Sequence, residues 1–135
     1  MTVLIVLALL GAAAVHLIWA LGLNWPIRDE ALLAKAVVGA KGITRMPPRW
    51  ASFLVFLALL VAVALVSAQA NWIKTPIPDA VLNVGCWGMI LVFTLRGLAG
   101  YLPVWRRQIE PRFDHLNLRF YSPLCLFIAL GTAML

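Results

Sequence analysis

Charged residues are scarce in this sequence: Asp, Glu, Lys and Arg make up 12% of its 135 residues, against roughly a quarter in a soluble domain. Apolar residues make up 64%, and the mean hydropathy is +0.97. No soluble fold needs so much apolar surface, and four membrane spans of about 20 residues would use most of the length. We therefore expect one transmembrane domain over residues 1–135, with no room for an additional soluble domain within them.

Acidic residues and known site motifs are also scarce. Five Asp and Glu stand against 11 Lys and Arg, but the basic residues lie between apolar runs, which favours contact with anionic membrane lipids over nucleic-acid binding. The two cysteines, Cys86 and Cys125, form no CxxC motif and lie inside apolar stretches. Because no His or Cys pair has metal-ligand spacing and no phosphate loop occurs, we expect no metal and no cofactor.

Four apolar runs predict an all-α integral membrane four-helix bundle. The predicted spans cover about residues 2–23, 50–73, 79–98 and 116–135. The last run, from Phe120 to Leu135, is short against a hydrocarbon core of about 30 Å, so we expect this span to begin near Leu116 and to bend at Pro123. A cleaved signal peptide is the alternative for the first run, but the apolar stretch continues past the small residues 11–14.

The distribution of basic residues predicts the orientation. Five Lys and Arg lie between spans one and two, one lies between spans two and three, and five lie between Arg96 and Arg119. The positive-inside rule then places the first and third loops in the cytoplasm and both termini outside. We expect short interfacial helices in these two loops and a multi-pass location in the cell inner (plasma) membrane.

Polar residues gather at the cytoplasmic end of the predicted spans. Ionisable groups at membrane depth are costly and indicate a functional site by default. The candidate ligand-binding residues are His16, Trp19, Asn24, Arg96, Asp114, Arg119, Tyr121 and Cys125. The structural alternatives are a neutral His16 that is hydrogen-bonded across the bundle, and an Arg96 that extends to the membrane boundary.

Two local patterns bear on Arg96. Helical periodicity places Gly85, Gly88 and Val92 on the face that carries Arg96, which predicts a groove of small residues directing the arginine into the bundle. Before Pro123, Ser122 either caps a new helix or lies within a continuous one. In the second case Pro123 frees the carbonyl of residue 119, and Arg96 is the natural donor to it.

The sequence resembles a family of small bacterial membrane proteins known as the domain-of-unknown-function family numbered 3995. The likeness covers nearly the whole chain. Three segments carry it: the run from His16 to Gly22, the loop ending Met46-Pro47-Pro48, and the run from Arg119 to Leu126. Where the resemblance implies an aspartate, this chain has Asn117, for which Asp114 could substitute. The family implies the fold and the choice of residues, but no reaction.

Three functions fit these residues. In the first, a cytoplasm-facing pocket binds an anionic or polar-headed lipid or amphipathic molecule, with Arg96 and Arg119 holding the head group. In the second, the chain is an assembly or stabilising subunit of a membrane complex. In the third, it forms a small homo-oligomeric transporter with His16 as the proton-coupled group. Whether the protein catalyses a reaction, and with which residues, stays open.

Overall fold

The computed structural model describes all residues, from Met1 to Leu135, and its regular structure is helical. The helices are α1 (Thr2–Ala20), α2 (Glu30–Val37), α3 (Arg49–Gln69), α4 (Asp79–Ala99), α5 (Pro103–Arg106), α6 (Pro111–Leu116), a π-helical segment (Asn117–Tyr121) and α7 (Ser122–Ala133). The last three run on as one helix, Pro111–Ala133, so four helices are long and apolar enough to cross a membrane. The predicted all-α four-span fold is confirmed; its orientation stays a prediction.

The spanning helices pack chiefly as two pairs, α1 with α3 and α4 with α7. Residues four apart lie on one face of a helix, so Ile5, Leu9 and Ala13 of α1 form one buried stripe. The rest of the core is Leu59, Ala62, Val66, Met89 and Ile128. Large apolar side chains on the opposite faces, such as Leu7, Val61 and Val84, are exposed. Lipid-facing surfaces of spanning helices have this character.

The helices α1 and α3 end earlier than predicted, and each is followed by a residue with a left-handed backbone conformation. After α1, Gly22 has a φ of 82° and the Leu23 N–H donates to the Ile18 carbonyl at 3.2 Å. After α3, Asn71 has a φ of 58° and the Trp72 N–H donates to the Ser67 carbonyl at 2.9 Å. This pattern is the Schellman motif, which satisfies free carbonyls and turns the chain out of the helix. The spans predicted to end at residues 23 and 73 therefore end at Ala20 and Gln69.

The fourth spanning helix begins upstream of its apolar run, as predicted, but five residues earlier than expected, at Pro111. It does not restart at Ser122: Tyr121 and Ser122 both have helical backbone angles, so the continuous alternative is the observed one. The Ser122 N–H donates to the Asn117 carbonyl, five residues back, as π-helical bonding requires. Pro123 follows Ser122, just after the turn in which the backbone hydrogen bonds run five residues back instead of four.

The first and third loops pack against each other at one end of the bundle, which we call the loop end. The Tyr121 hydroxyl donates to the Ala36 carbonyl at 3.2 Å, and the Glu110 N–H donates to the Gly39 carbonyl at 2.7 Å. The Gly42 N–H donates to Glu110 Oε1 at 2.8 Å. The predicted helix in the first loop is α2, and Leu33, Ala34 and Ala36 of α2 are buried. The two basic loops therefore lie on the same side of any membrane that the bundle crosses.

Candidate functional site

The structure divides the predicted site residues into two groups at the loop end. His16, Trp19 and Asn24 lie where α1 ends, whereas Arg96, Tyr121 and Cys125 lie where α4 meets the fourth spanning helix. No hydrogen bond, ion pair or ring contact joins the first group to the second. Each group is therefore described separately.

Arg96 projects from the last turn of α4 into the bundle. Its Nη2 donates to Asn117 Oδ1 at 3.0 Å. Its Cζ lies 5.4 Å from the centre of the Trp105 ring and 5.9 Å from that of Phe113, within cation–π range of both. Arg96 is thus held by an amide and two aromatic rings.

The predicted groove of small residues does not direct Arg96. Gly88 would meet nothing within 4 Å if it carried a Cβ, and Val92 is 63% exposed, so both face away from the bundle. Close approaches occur instead at Gly85, against Leu65 of α3, and further along the helix at Gly97 and Gly100. A Cβ on Gly100 would collide with Ser122 Oγ and Asn117 Nδ2. Gly100 therefore permits both polar side chains to pack against the backbone of α4.

The positive charge of Arg96 is not neutralised within the chain. One salt bridge is present in the structure, and it joins Arg106 to Asp114. Arg96 Nη1 is buried without a hydrogen-bond partner, and so are Asn117 Nδ2 and Ser122 Oγ. Asn117 and Ser122 are fully buried. Buried polar groups without partners are rare in proteins, and three in one place indicate a polar site.

Asp114 does not substitute for the carboxylate expected at position 117. Its Oδ1 and Oδ2 accept hydrogen bonds from Arg106 Nε and Nη2 at 2.9 and 3.0 Å. The hydrogen bond and the charge of Asp114 raise the pKa of the exposed Arg106 guanidinium, which therefore stays charged. The Asn117 amide takes the place beside Arg96 that the resemblance assigned to an aspartate.

Arg119, Tyr121 and Cys125 differ in how close they come to Arg96. Arg119 is exposed and makes no hydrogen bond or ion pair, and its carbonyl does not receive the hydrogen bond expected from Arg96. Tyr121 is half-buried, with its ring centre 5.6 Å from that of Phe113. Cys125 is half-buried one turn further along α7, and both cysteines are free thiols. The structure does not bring Arg119 together with Arg96.

His16 and Trp19 lie in the last two turns of α1, and Asn24 lies shortly after its end. His16 Nδ1 lies 2.8 Å from the Ala12 carbonyl, so His16 bonds within its own helix and not across the bundle. Its ring centre is 5.0 Å from that of Trp19 in an edge-to-face contact. Trp19 Nε1 donates to the Trp25 carbonyl at 2.8 Å, and Asn24 Nδ2 donates to the Arg28 carbonyl at 3.3 Å. The Trp19 bond holds the start of the first loop against α1, and the Asn24 bond closes a turn within that loop.

A cleft of about 180 Å³ opens beside this group. Its lining includes Trp19, Asn24, Glu30, Met46, Pro47 and Arg49. The sequence indicated Trp19 and Asn24 as candidates but not Glu30 or Arg49. A second cleft, of about 80 Å³, lies at the opposite end and is lined in part by Gln69, Asn83 and Cys86. Polar clefts are therefore not confined to the loop end.

Four further residues near Arg96 were not among the candidates: Trp105, Phe113, Asn117 and Ser122. The basic, aromatic stretch after α4 was a signal for Trp105, since aromatic residues beside basic ones mark membrane interfaces. Asn117 and Ser122 are five residues apart, a spacing that shares a face only in a π-helix. Helical periodicity alone gave no reason to place them together.

Comparison with protein families gives one result: a family model described as "Protein of unknown function (DUF3995)" matches residues 9–132 of this chain. Comparison with curated proteins gave no match, and comparison with solved structures gave none either.

Proposed function

The chain belongs to the DUF3995 family, and we propose that it is a multi-pass membrane protein that binds the anionic head group of a lipid or another amphiphile at Arg96. The proposal rests on one observation above all. Arg96 lies inside the bundle with no carboxylate partner, and its Nη1 has no hydrogen bond. Arg96 is half-buried, and a partly desolvated charge without a counter-ion favours binding of an anion from outside the chain.

The surroundings of Arg96 favour an oxyanion. A guanidinium engages carboxylate or phosphate through two parallel hydrogen bonds, and Arg96 Nη1 is free for such a contact. The Asn117 side chain accepts from Arg96 Nη2 and so orients the guanidinium. The rings of Trp105 and Phe113 flank the guanidinium and leave an apolar boundary suited to an acyl chain.

The proposed location of the head group follows from the charge distribution. The loop end carries ten of the eleven Lys and Arg residues, and the positive-inside rule favours a cytoplasmic position for such loops. We propose that the head group belongs to the inner leaflet of the plasma membrane and that both termini lie outside. Anionic lipids are attracted to basic surfaces of this kind at close range.

Native mass spectrometry of the purified protein tests the proposal. The wild type, titrated in mild detergent with phosphatidylglycerol, is expected to bind it in preference to phosphatidylcholine. Arg96→Gln removes the half-buried charge and should weaken phosphatidylglycerol binding by about 10- to 100-fold, the range for a hydrogen bond to a charged group. Arg107→Gln removes an equal charge from an exposed side chain in the same loop and is the matched control.

Two outcomes contradict the proposal: a wild type that binds both lipids equally, or an Arg107→Gln variant that loses as much binding as Arg96→Gln. Arg119→Gln is a separate arm, because the sequence predicted a head-group contact for this exposed arginine. A loss near that of Arg107→Gln would restrict the site to Arg96. A loss near that of Arg96→Gln would restore the two-arginine site.

An assembly role is the second candidate function. The surface of α4 around Gly88 carries an exposed apolar strip, with Val84 at 73% and Val92 at 63% exposure. Small residues let helix backbones approach closely in a membrane, so this strip suits a second copy of the chain or a partner subunit. The same native spectra measure the number of copies. A monomer in every lipid tested would leave the oligomeric transporter without support.

A further inference from the structure

The cleft beside α1 carries two opposite charges that do not meet. Glu30 and Arg49 both line its volume of about 180 Å³. No salt bridge joins them, since Arg106–Asp114 is the one pair within 4.0 Å in the structure. Both side chains are exposed and neither engages the other, so each is free to contact a ligand.

Glu30 is held in position by the backbone of the first loop. Its Oε1 accepts a hydrogen bond from the Met46 N–H at 3.1 Å, which ties the first turn of α2 to the segment before α3. Its Oε2 makes no hydrogen bond to the protein. A carboxylate oriented through one oxygen presents the other to a donor in the cleft.

Arg49 is held by packing and not by an acid. Its guanidinium lies directly over Gly22, whose Cβ, if present, would collide with the guanidinium atoms. Gly22 also has a φ of 82°, so two independent requirements favour glycine there. No hydrogen bond or ion pair occupies the guanidinium. Arg49 is therefore a positioned cation with its donors free.

We propose that this cleft binds a zwitterionic head group of the phosphoethanolamine type, with the primary ammonium at Glu30 and the phosphate at Arg49. The ammonium donates to the free Glu30 oxygen, and the phosphate accepts from the Arg49 fork. The Trp19 indole and Met46 form apolar walls. The volume far exceeds the roughly 10–15 Å³ that one water needs, so a small head group has room.

The position of the cleft favours a membrane lipid as the source of this head group. The lining residues run from Trp19, in the last turn of α1, to Arg49, the first residue of α3, and both helices are apolar enough to span a membrane. A head group in the cleft would lie at the level where these helices leave the hydrocarbon core. This site is independent of Arg96, because no described contact joins the two groups.

The test compares phosphatidylethanolamine, phosphatidylcholine and phosphatidylglycerol of matched chains, titrated singly against the full-length protein in native mass spectrometry. The trimethylated ammonium of phosphatidylcholine has no N–H, so the wild type should bind phosphatidylethanolamine about tenfold more tightly. Glu30→Gln should abolish this preference while its amide oxygen still accepts from the Met46 N–H. Arg49→Gln should weaken binding of phosphatidylethanolamine and phosphatidylcholine together by about tenfold.

Two control variants remove equal charges elsewhere: Asp79→Asn at the opposite end of the bundle and Arg45→Gln in the first loop. Both residues are exposed, and neither lines the cleft. Arg96→Gln should leave the phosphatidylethanolamine preference unchanged, which separates this site from the one around Arg96. The inference is overturned if the wild type shows no such preference, if Glu30→Gln retains it, or if Asp79→Asn loses it equally.

A competition arm distinguishes the two possible sources of the ligand. Free O-phosphoethanolamine is added to the wild type loaded with phosphatidylethanolamine. Displacement that Glu30→Gln abolishes would support the cleft as a site for the soluble zwitterion as well. Failure to displace, together with the lipid preference, would support the lipid alone. If neither the lipid nor the free compound distinguishes wild type from Glu30→Gln, the site does not exist.

Discussion

Substitution of Gly100 tests how tightly α4 packs against the fourth spanning helix. Alanine is compatible with the helical backbone of Gly100, whose φ is −61° and ψ is −19°. Its methyl group would nevertheless collide with Ser122 Oγ and Asn117 Nδ2. Both side chains are fully buried and belong to a π-helical segment and its continuation, so neither can rotate into open space. The two helices must move apart.

The expected magnitude follows from the general cost of overpacking. An extra methyl group forced into a close-packed interior destabilises by about 1–3 kcal/mol. The neighbouring hydrogen bond from Arg96 to Asn117 would lengthen as well, because Asn117 is one of the colliding residues. We therefore expect Gly100→Ala to lower the free energy of unfolding by about 1–3 kcal/mol.

Gly88→Ala is the matched control on the same helix. A Cβ at Gly88 meets nothing within 4 Å, and Gly88 lies in the interior of α4. Alanine favours a helix over glycine by up to about 1 kcal/mol, so Gly88→Ala should be neutral or stabilising. Equilibrium unfolding in mixed micelles, with helical circular dichroism as the signal, measures both variants against the wild type.

A second-site change checks whether the collision is the cause. Ser122→Ala removes one of the two colliding atoms, and Ser122 Oγ has no hydrogen-bond partner to lose. The double variant should recover part of the stability that Gly100→Ala loses, since residues in contact are energetically coupled. The reasoning is refuted if Gly100→Ala is as stable as Gly88→Ala, or if the double variant loses the sum of the single effects.

Two further substitutions test the loop end and a helix terminus. Tyr121→Phe removes the hydrogen bond to the Ala36 carbonyl and should destabilise by about 0.5–1.5 kcal/mol, with faster hydrogen exchange in α2. Unchanged exchange in α2 would show that this bond does not hold the loops together. Asn71→Ala places an ordinary residue at positive φ and should destabilise by about 1–2 kcal/mol, whereas Asn71→Gly should not. Equal unfolding midpoints for these two variants would contradict the left-handed conformation.

The four spans could be predicted from the sequence because a spanning helix depends on the composition of one segment. In lipid every backbone group must bond within its own helix or barrel, so a long apolar run has few alternatives. The ends of the helices depend on single residues instead. Gly22 and Asn71 end α1 and α3 by adopting left-handed conformations, and each lies just before the predicted end of its span. Hydropathy therefore overestimated both spans.

The arrangement around Arg96 could be predicted only in part. The sequence indicated that Arg96 and Tyr121 lie at the same end, which depends on topology alone. It did not indicate that Arg119 faces away or that Asn117 and Ser122 lie together, because the π-helical segment inserts one residue into the turn. Periodicity at 100° per residue fails beyond such an insertion. The sequence also could not show that the Asp114 carboxylate forms a salt bridge with Arg106.

The contact between the two loops constrains the order in which the chain can assemble. Tyr121 and Ala36, which this contact joins, are 85 positions apart. During synthesis, α1, α2 and α3 are complete before Tyr121 is added, so the first hairpin forms with its loop undocked. Docking of the two loops is then a late event that follows insertion of the fourth spanning helix, Pro111–Ala133. A truncated nascent chain lacking that helix would expose α2, with Leu33 and Ala34, to proteases at the membrane surface.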